Sequence, residues 1–342
     1  METRILGTTE QDILTAGQIL KSGGLVAFPT ETVYGLGANA LDDEAVKKVY
    51  IAKGRPSDNP MIAHISSKDD LNQLTDTITE DMVKLMDAFW PGPMTMIVKA
   101  KPVVSRVTTG GLDTVGVRFP SNPVAMAMIH AAGVPIAAPS ANLSGKPSPT
   151  TFQHVLDDMD GRVDAIIAGG DSEVGIESTV IDMTGEIPMI LRPGIITKED
   201  FEEVLGKEVL LDHTLLEKPA LVKGEGLKVT ADDFKPKSPG MKYKHYAPNA
   251  EMIIYKGEKS KVLDAIVEER VKREALGDKV EVIVFDEADS KKAAHELFAR
   301  LRACDKKGVD VILTTALEET GVGFSVMNRM LKSAGYNIIE VK

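Results

Sequence analysis

The sequence predicts an α/β protein in two unequal parts, a larger mixed sheet with flanking helices followed by a smaller parallel α/β unit. Three observations predict it. Over the first 206 residues, short apolar strand-like runs alternate with helix-period segments, and several runs are parted only by turns. From 251 to 342, strand and helix alternate strictly. Between them, from 207 to 250, hydrophobic periodicity weakens while Pro, Gly and Lys accumulate, as in a linker. A length of 342 residues suits two domains.

The elements follow in order. Residues 12–21 have helical spacing and stop at Gly23-Gly24, and "LVAFPT" is a short strand ending at a proline. "DDEAVKKVYIAKG" (42–54) reads as a helix capped by Asp42 or Asp43, with Ala45, Val46, Val49 and Tyr50 inward. Gly54 suits a left-handed C-terminal cap and Pro56 forbids continuation, so Lys53 leaves the last turn and Arg55 sits just beyond it. "PMIAHIS" is a strand, "TEDMVKLMDAFW" a helix, "MTMIVKA" and "TVGVRFP" strands, "PVAMAMIHAAG" a helix and "VPIAAPSAN" strand-like. A helix near "TFQHVLDDM" and strands at "AIIAGG", "STVIDM" and "MILRPG" complete the first part. In the second, strands "EMIIYKG", "KVEVIVFD", "VDVILTTA" and "YNIIEV" flank helices "KVLDAIVEERVKREAL", "KKAAHELFARLRAC" and "FSVMNRMLKSAG". That alternation implies parallel strands joined by right-handed crossovers.

Composition excludes several function classes. The net charge of −11 argues against broad, sequence-blind binding to nucleic acid, while leaving room for a local basic pocket. Cys304 is the single cysteine, so no disulfide framework or cysteine-rich zinc site is expected. The six histidines show no HxxxH or HExxH spacing, which disfavours a dedicated protein-built metal cage. The N-terminus lacks the apolar core of a signal peptide and no run is long enough to span a bilayer, so a cytoplasmic location is expected.

Four stretches carry the residue types that bind anions. "FPTETVYGLG" (28–37) sets Thr30 and Thr32 after a strand with glycines behind them. "KGRPSDN" supplies cations, "APSANLSGKPSP" (138–149) supplies Ser140, Asn142, Ser144 and Lys146, and "ESTVIDM" with "LRPG" supplies Ser178 and Arg192. Hydroxyls, amides, guanidinium groups and exposed backbone N–H groups are what a polyphosphate requires, and loops beyond strand ends are where they converge in α/β sheets. Lys53 and Arg55 are two apart, as are Ser140 and Asn142. In extended chain each pair would face one ligand. None of the stretches is a GxxxxGK[ST] loop. Read alone, each also has a plain structural explanation. The cations complement a helix C-terminus, the threonines form a turn, and the 138–149 segment serves as a surface loop.

Taken in order, "KSGGLVAFPTETVYGLGANA", "KGRP..NP", "VGVRFP", "APSANLSGKPSPT", "GIESTVIDM" and "ILRPG" resemble the YrdC-like family of threonylcarbamoyl-AMP synthases. The trailing "SPGMKYKHYAP" and the small α/β region resemble the two-domain form of that enzyme, so the resemblance covers nearly the whole chain. It implies a YrdC-like twisted mixed sheet over 1–206, a linker and active-site lid over 207–250, and a Rossmann-like parallel domain over 251–342. The implied reaction joins L-threonine, bicarbonate and ATP into threonylcarbamoyl-AMP and pyrophosphate. The product goes to the tRNA threonylcarbamoyl-transfer machinery, for t6A at position 37 of tRNAs reading ANN codons. Magnesium is expected with ATP and not on a protein cage.

The resemblance also implies roles. Lys53, Arg55, Ser140 and Asn142 are the signature Lys-x-Arg and Ser-x-Asn pairs, with Lys53 expected to stabilise the carbamate or the α-phosphate. Arg55, Asn59, Ser140 and Arg192 would hold ATP, with Thr114, Ser148 and Ser238 as further candidates. Thr32, His64, Arg118, Ala138 and Ser178 would hold threonine, and Tyr243 and Tyr246 would close the lid. The alternative is a double-stranded RNA or tRNA-binding module of the same fold. The acidic balance and the lack of an RNP-like aromatic pattern argue against it and predict at most weak tRNA binding.

Overall fold

The computed structural model describes residues 2–55, 59–216, 236–237, 245–286 and 288–342. In the first part, β1 (Arg4–Leu6) leads into α1 (Glu10–Lys21), whose N-terminus is capped by the Thr9 side chain. β2 (Val26–Phe28) and β3 (Gly35–Asn39) pair antiparallel. α2 (Asp43–Lys53) begins where the Asp42 side chain accepts from the Glu44 and Ala45 N–H groups, and ends at Gly54, whose φ of 61° only glycine adopts cheaply. Then come β4 (Ile62–His64), α3 (Glu80–Phe89), β5 (Met94–Lys99) and β6 (Thr114–Arg118). α4 (Pro123–Ala132), β7 (Ile136–Ala138), α5 (Phe152–Met159) and β8 (Ala165–Ile167) follow. β9 (Thr179–Asp182), β10 (Met189–Arg192) and α6 (Lys198–Leu205) close this run.

Two further elements fall inside the expected linker. β11 (Leu210–Leu211) pairs parallel with β10, and α7 (His213–Leu216) follows it. Residues 207–216 therefore extend the first part, because Val209 is fully buried in its core and fixes the chain there. The sequence conceals this: two strand residues are too few to show a period.

Among the described residues the large sheet has eleven strands in the order β1-β8-β2-β3-β7-β4-β6-β5-β9-β10-β11, mixing parallel and antiparallel pairs. One face of its central strands, with Ala63, Met96, Val115, Val117 and Ile181, packs on Val46 and Val49 of α2, Leu85 of α3 and Phe201 of α6. The β1–β2 end packs on α1 and α4.

The smaller part contains β12 (Glu251–Lys256), α8 (Lys259–Ala275), β13 (Val280–Ile283), α9 (Ser290–Lys307), β14 (Val311–Thr315), α10 (Gly321–Ser333) and β15 (Ile338–Glu340). Its sheet runs β13-β14-β12-β15, all parallel. α8 covers one face, Val262 and Ile266 meeting Ile253, Tyr255, Val311 and Leu313. α9 and α10 cover the other, and that core also takes in Val33 and Ile176 from the first part.

Candidate active site

The second face of the large sheet is where the functional side chains gather. His64 is registered with Arg118, Arg118 with Thr95, Thr95 with Val180, and Val180 with Arg192 across the irregularity in β10. Registered residues of paired strands point to the same side. One row across β4, β6, β5, β9 and β10 thus carries an imidazole and two guanidinium groups onto a single floor. A cleft open on one side lies above it. Its rim is built by the loop after β2, the end of α2, the loop after β7 and the segment at 245–246. The cleft is therefore a sheet face walled by loops.

Of the residues expected there, Lys53, Arg55, Thr32, His64, Arg118, Ala138, Ser140, Asn142, Ser178, Arg192 and Tyr246 all line this cleft. Thr32 is fully buried with its hydroxyl 2.9 Å from that of Thr30, which donates to the Val33 carbonyl at 2.6 Å. Ser178 Oγ lies 2.7 Å from Thr95 Oγ1, and Arg192 donates from Nε to the Ser178 carbonyl and from Nη2 to Ser178 Oγ, both at 3.1 Å. Arg118 is 4% exposed, and its Nη2 stands 2.8 Å from Glu31 Oε1. Neither its Nε nor its Nη2 makes a well-angled hydrogen bond among the described residues; Nη2 faces Glu31, and Nε is left for an incoming acceptor.

Lys53 is bound to the loop beside it. Its Nζ donates to the Ser140 carbonyl at 2.5 Å, the Asn142 carbonyl at 2.6 Å and Asn142 Oδ1 at 3.4 Å. Three acceptors use all three ammonium protons, so this side chain is a clamp on the 140–142 loop. Burial, helped by the Arg55 charge, pushes its pKa well below the usual lysine range. Asn142 is likewise engaged, donating to the Leu143 and Lys146 carbonyls and accepting from Ser140 Oγ. Nor do Lys53 and Arg55 form an extended pair: the left-handed turn at Gly54 sends Lys53 inward and leaves Arg55 half-buried, with its guanidinium over the Tyr50 ring at 5.8 Å.

Three expected residues do not line the cleft. Thr114 shares the floor's face but starts β6 four residues before Arg118, about 13 Å back along the strand. Ser148 sits behind the wall, donating to Glu177 Oε1 at 2.5 Å. Asn59 is held by its carbonyl, which accepts from the Tyr50 hydroxyl at 2.6 Å, while its buried Oδ1 has no hydrogen-bond partner among the described residues. Ser238 and Tyr243 lie outside the described residues.

Two further lining residues, Glu177 and His245, were not among the expected site members. Glu177 lines the cleft and is bound by Arg329 of α10, Nε to Oε2 at 3.0 Å. Burial alone would raise the Glu177 pKa; Arg329, Arg192 and the Ser148 hydroxyl outweigh it and hold the group below the usual carboxylate range. His245 lines the cleft beside Tyr246, their rings 4.3 Å apart. It stands in the aromatic segment that marked Tyr243 and Tyr246, and the same signal could have found it. Burial pushes His64 and His245 down to about 3, lowers Arg192 to about 10 and raises Tyr246 to about 12. His64 Nδ1 faces the Ile62 carbonyl at 3.0 Å, which can only accept, so the neutral ring carries its proton there.

Comparison with known proteins decides the family. The family model described as "Telomere recombination" matches residues 18–194, and the one described as "Threonylcarbamoyl-AMP synthase, C-terminal domain" matches residues 196–335. The chain is 47% identical to the threonylcarbamoyl-AMP synthase of Pyrococcus abyssi over 97% of its own length and 96% of that protein's. The chain belongs to the threonylcarbamoyl-AMP synthase family. It is 43% identical to the Bacillus subtilis member, covering 98% of this chain and 96% of that one. The crystal structure of P. abyssi Sua5 complexed with L-threonine superposes with a TM-score of 0.90 at 45% identity, covering 99% of this chain and 100% of that one. Escherichia coli YciO matches 57% of this chain and 97% of its own at 26% identity, with a TM-score of 0.51.

Proposed function

We propose that this cleft makes L-threonylcarbamoyl-AMP from L-threonine, bicarbonate and ATP, releasing pyrophosphate. The observation that carries the reading is the convergence of Arg55, Arg118 and Arg192 on one cleft in a protein of net charge −11. Two anionic reactants need that local reversal of charge. Arg118 offers its guanidinium to the threonine carboxylate, and neutral His64 accepts a hydrogen bond from the substrate hydroxyl at Nε2. Thr32 and Ser178 supply hydroxyls beside it, and Ala138 gives an apolar wall for the methyl group.

The threonine amine combines with bicarbonate to give a carbamate and water. A carbamate oxygen then attacks the α-phosphate, and pyrophosphate leaves with the bonding pair of the broken P–O bond. Arg55 and Arg192 hold the phosphates, and Ser140 is set against them by the Lys53 clamp. Positioning and charge stabilisation account for such a step without a protein nucleophile. Bound Mg2+ supplies neutralisation of phosphate charge. Glu31 and Glu177 are both turned to arginines, so this donor set suits a metal carried on the phosphates. Tyr246 and His245 close the outer side, excluding water from a hydrolysable mixed anhydride. The product serves tRNA t6A formation in the cytoplasm, and tRNA itself binds weakly. Among the described residues no helix is long and apolar enough to cross a membrane.

Pyrophosphate release from Mg-ATP, with threonine and bicarbonate each present or withheld, tests this directly. Release that needs both is expected; release with neither would make the protein a plain nucleotide hydrolase.

A further inference from the structure

We propose that Arg329, on α10 of the smaller domain, is a positioning residue for the synthase cleft, so that the second domain completes the site. This deepens the function proposed above and rests on it. Arg329 is the largest fully buried side chain in the described structure. It reaches across the domain boundary to two segments that build the cleft. Its Nε donates to Glu177 Oε2 at 3.0 Å and its Nη1 to the Pro193 carbonyl at 2.6 Å. Glu177 in turn receives the Ser148 hydroxyl on its other oxygen and immediately precedes Ser178; Pro193 immediately follows Arg192. One guanidinium therefore fixes both ends of the Ser178–Arg192 hydrogen bonds that floor the cleft.

Neighbouring contacts repeat the pattern. Ser325, one turn earlier on α10, donates to the Gly194 carbonyl at 2.7 Å. Arg302 of α9 donates to the Pro147 carbonyl at 2.7 Å and to Asp158 Oδ2 at 2.7 Å, and that same oxygen accepts the Leu143 N–H. These contacts fall on the 143–148, 177 and 193–194 segments, all of which carry or flank lining residues. Charge gives Arg329 a second task. Glu177 is a buried carboxylate on the wall of a cleft meant for a triphosphate and a carbamate. Without its guanidinium partner it would repel both substrates.

The test uses the full chain and steady-state pyrophosphate release, titrating ATP and threonine separately for wild type, Arg329→Met, Arg329→Lys, Glu177→Gln and the double variant Glu177→Gln/Arg329→Met. Lys256→Ala, on an exposed ion pair of the smaller domain, is the control. Arg329→Met is expected to raise the KM of ATP and of threonine by about tenfold or more, the loss that follows one unpaired buried charge. Arg329→Lys keeps the charge without the fork and should fall between. The double variant should recover most of the KM loss, because no unpaired carboxylate remains. A merely structural Arg329 would lower the melting midpoint and the active fraction with both KM values unchanged and no recovery in the double variant, and that result overturns the inference. If Arg329→Met does not fold, Arg329→Lys decides it by the same KM criterion. A wild type that releases no pyrophosphate with all three substrates would instead sink the functional reading.

Discussion

Single residues here are set by their partners more than by their types. Arg118, Arg192, His64 and Ser178 were legible as polar residues in or beside strands, yet only strand register puts them on one floor. Lys53 was legible as a cation near a ligand and not as a clamp, because its acceptors are backbone carbonyls 87 and 89 residues away. Glu177 and Arg329 were illegible for the same reason, being 152 residues apart on different domains. The depressed histidines carry a consequence for pH. His64 and His245 titrate near 3 in the fold against 6.5 when exposed, through burial first; Arg118 adds to it at His64, while at His245 Glu177 opposes it. A base with a lowered folded pKa leaves the unfolded state holding more protons. The stability tied to its neutrality is complete above pH 6.5 and is lost as pH falls toward 3. The pair should cost on the order of 2.7 kcal/mol per pH unit between about pH 5.5 and 4, before carboxylates add to the slope. Denaturant titrations across that range check it, and His64→Asn should lower the slope by about 1.4 kcal/mol per unit. An unchanged slope would mean that His64 is not held neutral.

At the scale of elements, caps and periods were readable and close approaches were not. The Asp42 cap, the Gly54 stop and the α/β alternation after 251 follow from local rules, whereas β11 is too short to have a period. Gly17 shows the limit well. It lies in the middle of α1, where replacing glycine with alanine ordinarily gains roughly 0.5–1 kcal/mol. In this fold a Cβ at Gly17 would stand 2.7 Å from the Ala131 carbonyl carbon and 2.8 Å from the Ala132 nitrogen. Those atoms belong to the α4 backbone and cannot rotate away, so overpacking of about 1–3 kcal/mol outweighs the propensity gain. Gly17→Ala should therefore lower the melting midpoint; a rise would show that α1 and α4 slide apart without cost.

At the scale of the molecule, the two-part organisation was readable from composition and periodicity, but the dependence between the parts was not. The linker signature marks two parts without showing what joins them. The core of the smaller part nonetheless includes Val33 and Ile176 from the larger one, and the cleft wall is tied to α10. The backbones also meet closely at Gly175, where φ is +84° and an added Cβ would lie 2.5 Å from His295 Cα and 2.6 Å from the Ala294 carbonyl oxygen of α9. Alanine there is strained by conformation and by collision with a helix backbone, so relief requires the domains to separate. Calorimetry should show one cooperative transition for the wild type. Threonine at about 100 times its Kd should stabilise that whole transition by about 2.7 kcal/mol. Gly175→Ala should lower the midpoint and split off a transition that threonine no longer shifts, because the smaller domain then unfolds without the cleft. Two transitions already in the wild type, with threonine moving only one, would mean that the domains are independent and that the shared core contributes little.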